Sequence, residues 1–233
     1  MEVRLVDKAV LFGVIPPILV LIYVYHMDKI EKEPIGLLAK FFIAGIIIAI
    51  PAAIVEGILD VVFQIAGLYP GTLIYCAVSA VFGVALVEEG FKFLCLEIFA
   101  KKNKEFDYRF DAIVYTMCVG IAFAAFENIL YIVSYGAGWD IAFARLLPGH
   151  SIFAVFMGFY YGNWKGYFDA GNLEPAKKMK MKSLWIPVLL HGFYDFCCFI
   201  GGPLTYVFFA FLIGLTIFAL RFVKKASATD LPV

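Results

Sequence analysis

The stretch GVALVEEGFKFLCL, residues 83–96, reads as the inside of an apolar helix, yet it carries Glu88, Glu89 and Lys92. A charged side chain at the centre of a membrane helix costs about 2.5–3.5 kcal/mol, and each large apolar residue returns about 0.3–0.6 kcal/mol. The triplet therefore opposes insertion strongly, and only a long apolar segment offsets it. Glu88 and Lys92 are four apart and share a helix face, so they are expected to pair. Glu89 is turned about 100° from Glu88 and is expected to serve another partner.

The rest of the chain supports the membrane reading. Of 233 residues, 63% are hydrophobic and 16% charged, and the mean hydropathy is +0.90. Soluble domains are about 45–50% apolar and about 25% charged. The fold class expected is all-α, a polytopic transmembrane helix bundle in a lipid bilayer. About seven apolar segments reach spanning length: 9–25, 36–58, 73–100, 111–135, 141–162, 183–200 and 203–222. Their connectors are short, which predicts a single integral-membrane domain over 1–233 with its core motif region at 73–200. The net charge is zero, and no basic tract adjoins exposed aromatics, which argues against a nucleic-acid partner. Cys76, Cys95, Cys118, Cys197 and Cys198 lie in apolar runs without CxxC spacing. They read as core residues, with neither disulfides nor a thiolate metal site expected. The first apolar run lacks a small-x-small exit, so a cleaved signal peptide is not expected.

Lysine and arginine mark alternate connectors: HMDKIEKEP, KKNKEFDYRFD, NWKGYFDAGNLEPAKKMKMKS and the tail after Arg221 are rich, and the intervening ones hold none. The rich set is expected to face the cytoplasm, with the N-terminus outside and the C-terminus inside. Arg4 and Lys8 dissent.

Polar groups recur at depth in three more helices. GIAFAAFENILY holds Glu127 and Asn128, LLPGHSIF holds His150 after Pro148, and PVLLHGFYDF holds His191 and Asp195 four apart on one face. Counted by rise per residue, with His150 about ten residues into the fifth segment, these depths overlap near the midplane. Four helices can thus aim carboxylates and imidazoles at one interior cavity. Each also has a plainer reading, as an ion pair, an interhelical hydrogen bond or a vestibule lining. Glu56 and Asp60 are expected to anchor the interface, Glu97 and Arg145 to snorkel, and Asp111 to cap the fourth helix.

Two histidines with glutamates support general acid–base work, in which a carboxylate takes a proton from water and returns it. Asn128 can donate to a developing oxyanion. These parts suit hydrolysis of an amide by activated water. No Gly-x-Ser-x-Gly, no HExxH and no cysteine beside a deep histidine appears. Two His and one Glu are also a common ligand set for catalytic zinc, so Zn2+ held by His150, His191 and Glu127 stays open.

The ordered set resembles a known family. EEGFK (Glu88, Glu89, Lys92) is similar to the EExxK motif of the PrsW intramembrane proteases, and FAAFEN (Phe123, Glu127, Asn128) to their FxxxEN motif. FDAIVY, PGHSIF (His150) and LLHGFYD (His191) resemble the segments around them, over roughly residues 80–200. Related CAAX prenyl endopeptidases and bacteriocin-processing proteins usually carry EExxxR and a histidine in place of the second-motif glutamate. Lys92 and Glu127 favour the PrsW branch. The resemblance implies site-1 cleavage of a single-pass membrane protein, an anti-sigma factor, on its extracytoplasmic side. Glu88, Glu89, Glu127, His150 and His191 would be catalytic, with Lys92, Asn128 and Asp195 supporting. Two other readings use the same residues: a proton- or ion-coupled transporter, and a non-enzymatic membrane helper or immunity protein.

Overall fold

A computed structural model describes residues 15–135 and 149–233. Among them the chain forms seven helices: α1 Ile15–Met27, α2 Ile35–Ile65, α3 Leu73–Ala100, α4 Asp111–Tyr135, α5 Gly149–Asp169, α6 Leu173–Ile200 and α7 Leu204–Ala228. Five are long and apolar enough to cross a membrane: α2, α3, α4 through Tyr131, α6 and α7. Outward-facing isoleucines along α2, such as Ile43, Ile47, Ile50, Ile54 and Ile58, are exposed. On a helix of spanning length, an apolar face of this kind suits the lipid bilayer. The expected positions of Arg4, Lys8, Arg145 and Pro148, and the starts of segments 9–25 and 141–162, lie outside the described residues.

Helix α5 is the exception in composition. It mixes Gly, Tyr, Trp and Asn with its apolar residues, and 151–158 are all buried. Its neighbours on either side are α4 and α6. A helix sheathed by other helices faces little lipid and does not need an apolar surface all round. Close packing there depends on glycine: a Cβ on Gly158 would overlap the Ile113 backbone, and one on Gly162 the Arg109 carbonyl. Small residues four apart let two helix backbones approach in a membrane, where dispersion and not water drives association.

Several boundaries differ from the sequence expectation. Helix α5 runs on to Asp169 and α6 begins at Leu173, ten positions before the expected 183, so most of the lysine-rich connector is helical. Lysine and methionine favour helix, and the turn between the helices is made at Gly171, whose φ is +76°. Helices α2 and α7 also outlast their expected ends. Asp111 does not cap forward into α4. Its carboxylate accepts from the amides of Asp107 and Tyr108, at 3.1 and 2.7 Å, while the Phe110 carbonyl takes the first amides of the helix. Glu97 does not snorkel free: it pairs with Lys101 at 3.2 Å and Lys180 at 2.9 Å.

Helix α3 is not uniform. A ten-residue α-helical stretch, Leu86–Cys95, lies between two π-helical segments, Ser79–Ala85 and Leu96–Ala100. Wide π turns of this kind often occur at functional sites.

Candidate active site

The α-helical stretch of α3 carries the triplet. Lys92 Nζ donates to Glu89 Oε1 at 2.8 Å and to Glu88 Oε2 at 3.1 Å. Both glutamates therefore reach one ammonium. Glu89 is not left for a partner elsewhere alone, because positions three and four before a lysine share its face. All three side chains are buried, with exposures of 4%, 0% and 3% for Glu88, Glu89 and Lys92. An unmatched buried charge would be far more costly than this set.

The other helices close around the triplet. His150, in the first turn of described α5, accepts from Lys92 at Nδ1, 3.1 Å away. With that nitrogen as acceptor, its proton sits on Nε2, which donates to Glu127 Oε2 on α4 at 2.8 Å. His191 on α6 bonds Glu89 Oε1 through Nδ1 at 3.0 Å, and its Nε2 lies 3.3 Å from Asp195 Oδ2. The two imidazoles stand perpendicular at 5.0 Å. Phe153 stacks on His191 at 4.9 Å, and Phe123 lies 4.3 Å under the Lys92 ammonium. A cation over an aromatic face is stabilised where water is excluded.

A cavity of about 170 Å³ opens beside the cluster. Glu88, Glu127, His150, His191 and Asp195 all line it, whereas Glu89 and Lys92 lie behind its wall. Asn128 is buried and is not among the lining residues. Exposure rises from Glu89 at 0% through His150 at 13% to Glu127 at 20%. The cluster is thus most open on the Glu127 side.

Glu56 is the residue that sequence reasoning misplaced. It lines the same cavity from α2, together with Ala49 and Ala53. Ala49 is buried and Ala53 exposed, so no run of buried positions along α2 singles out Glu56 before the helices pack. Asp60, expected beside Glu56 as an anchor, instead accepts from Gln64 at 3.0 Å and from the Tyr75 hydroxyl.

Glu88, Glu89, His150 and His191 each offer a ligand atom within 4.8 Å of the others. Two carboxylates with two imidazoles suit zinc by type. By placement they do not: Lys92 Nζ is already bound by Glu88, Glu89 and His150 at 2.8–3.1 Å. A divalent ion among those atoms would stand against the ammonium. Glu127 is not one of these four, and its Oε2 bonds His150 Nε2 at 2.8 Å.

A membrane helix bundle with acids and imidazoles gathered round an interior cavity has the build of an intramembrane hydrolase. Comparison with known proteins makes this specific. The family model described as PrsW family intramembrane metalloprotease matches residues 33–221. The chain is 33% identical to Protease PrsW of Bacillus subtilis over 222 residues, covering 94% of this chain and 95% of that one. It is 33% identical to Protease PrsW of Geobacillus kaustophilus, covering 94% and 92%. With Protease PrsW of Oceanobacillus iheyensis it shares 31%, covering 92% and 94%. No solved structure matches significantly. The chain belongs to the PrsW family of intramembrane proteases and is a peptidase of the multi-pass membrane type.

Proposed function

We propose that the cluster hydrolyses a peptide bond by activated water, with Glu88 as the base. The observation that carries this reading is the cavity wall, where Glu88, Glu127, His150, His191 and Asp195 from four helices meet. A water between Glu88 and a substrate carbonyl gives its proton to Glu88, and its oxygen attacks the carbonyl carbon. The same proton then passes to the departing amide nitrogen as the C–N bond breaks. Glu89 is a positioning residue, because one oxygen of it binds both Lys92 and His191. His150 and Glu127 form a pair on the more exposed side of the cavity, in which Glu127 accepts from Nε2 and holds the imidazole in place. Asn128 and Asp195 keep supporting roles, Asp195 by orienting His191.

The substrate class is a single-pass membrane protein, and family resemblance points to an anti-sigma factor cut on its extracytoplasmic side. The positive-inside rule supports an inward C-terminus, with the lysine-rich ends in the cytoplasm. The placement of Lys92 supports a reaction carried by carboxylates and imidazoles. The test is cleavage of a labelled single-pass substrate in proteoliposomes. Glu88→Gln and His150→Ala should abolish product while the protein still folds; wild-type cleavage by both rejects the assignment. Dialysis against a chelator separates the two chemistries. Activity kept by metal-free protein supports Glu88 as the base acting on free water, and activity lost and restored by zinc overturns it. Ion flux without any cleavage would favour a transporter.

A further inference from the structure

Toward the lysine-rich end, a second hollow of about 560 Å³ lies between the end of α3, from Phe93 to Lys101 just beyond it, the end of α5 and the first half of α6, and it shares no lining residue with the peptidase cavity. Lys101, Lys177 and Lys180 line it, together with Trp164 and Trp185. Two of these ammoniums are held together. Lys101 and Lys180 both reach Glu97 Oε2, whose other oxygen accepts from the Tyr161 hydroxyl at 3.0 Å. Lys180 and Lys101 also lie 4.7 and 5.6 Å over the buried Trp164 ring. Glu97 and the indole face offset the repulsion between the lysines, and each ammonium keeps donors beyond its bond to Glu97. With Lys177 added, three positive charges meet Glu97 and Glu174, so the hollow is left cationic.

The rim is apolar. Phe168, Leu173, Met181 and Trp185 are exposed large side chains beside the lysines. In water such a rim is unfavourable, but at headgroup depth acyl chains cover it and the indoles suit the interface. A free anion in solution would need only the lysines; the combination fits a charged headgroup with a hydrocarbon tail.

We propose that this hollow binds the phosphate of an anionic phospholipid, with Lys101, Lys177 and Lys180 donating to its oxygens and a chain lying along Met181 and Trp185. Basic pockets between membrane helices are suited to such headgroups. The site stands apart from the peptidase cavity and does not depend on how peptide bonds are cut there.

The test uses the full chain in phosphatidylcholine vesicles and its own fluorescence. Of three tryptophans, two line the hollow. Brominated phosphatidylglycerol should quench emission at a lower mole fraction than brominated phosphatidylcholine. Each lysine-to-glutamine change at 101, 177 or 180 should weaken that preference about fivefold. Lys102→Gln and Lys104→Gln should leave it intact. Lys177→Gln alters an exposed residue, so the test survives if the Glu97-paired variants misfold. Equal quenching by the two lipids overturns the proposal, as does a preference that persists in Lys177→Gln and in the triple variant. Abolition of the preference by millimolar inorganic phosphate would mark a small-anion site and reject the lipid.

Discussion

Glu88 and Glu89 in the middle of α3, and Asp28, Glu33 and Asp111 near the lysine-rich end, are all buried carboxylates, but they are matched in different ways. The first pair shares an ammonium and a ring of imidazoles. In the second group Asp111 is held by backbone amides. Lys32, the nearby cation, spends its ammonium on the carbonyls of Tyr25 and Asp28. One oxygen of Asp28 and one of Glu33 make no hydrogen bond. Burial therefore pushes Glu33 up to about 7 and Asp28 up to about 6. A carboxylate near the membrane surface can answer burial by taking a proton. At depth the two glutamates of α3 instead have a countercharge in place, the Lys92 ammonium.

Removing that countercharge should have the largest effect. Lys92→Met leaves two buried carboxylates uncompensated, which costs about 3–5 kcal/mol. The detergent-solubilised protein should melt well below wild type; an unchanged melting curve would show that the ammonium is not what holds the cluster. Next comes Glu88→Gln, which keeps shape and removes the base. Cleavage should fall by about 10²–10⁴-fold with little change in melting. A comparable loss of stability instead would reassign Glu88 to the scaffold. Glu56→Gln, across the cavity, should slow cleavage by about tenfold, or about 1.4 kcal/mol in the barrier, and leave folding alone. Wild-type rates would remove Glu56 from the site.

The smallest effect belongs to the other end. Glu33 binds its proton more tightly folded than unfolded, so the folded state carries more protons between about pH 4.5 and about pH 7. Stability is then highest below that window and falls as pH rises through it. Glu33→Gln should flatten the decline, read as melting temperature against pH. An identical slope in the variant would show that Glu33 does not titrate there.

The membrane bundle and the convergence of Glu88, Glu127, His150 and His191 were legible because their signals are local. Apolar runs of spanning length with acids inside them need no tertiary knowledge to interpret. Glu56 escaped because its inward face exists only once α2 packs against α3 and α4. The split between Glu88 on the cavity wall and Glu89 behind it was hidden for a related reason: adjacent letters say nothing about which way a helix is rotated in its bundle. The glycines of α5 were equally silent, since their purpose is visible only in what a Cβ would strike. The start of α6 was missed because a lysine-rich stretch fails an apolar test while remaining good helix.

The π-helical stretch Ser79–Ala85 contains no ionisable group, yet it sets the angular phase of everything that follows it in α3. Deleting a single residue there would narrow the wide turn and change the angular phase of Glu88, Glu89 and Lys92 around the axis. The constellation would then be dismantled with every one of its members still present. Its geometry is inherited from a stretch of ordinary small and apolar side chains, where an insertion or deletion would be as disabling as losing the base itself.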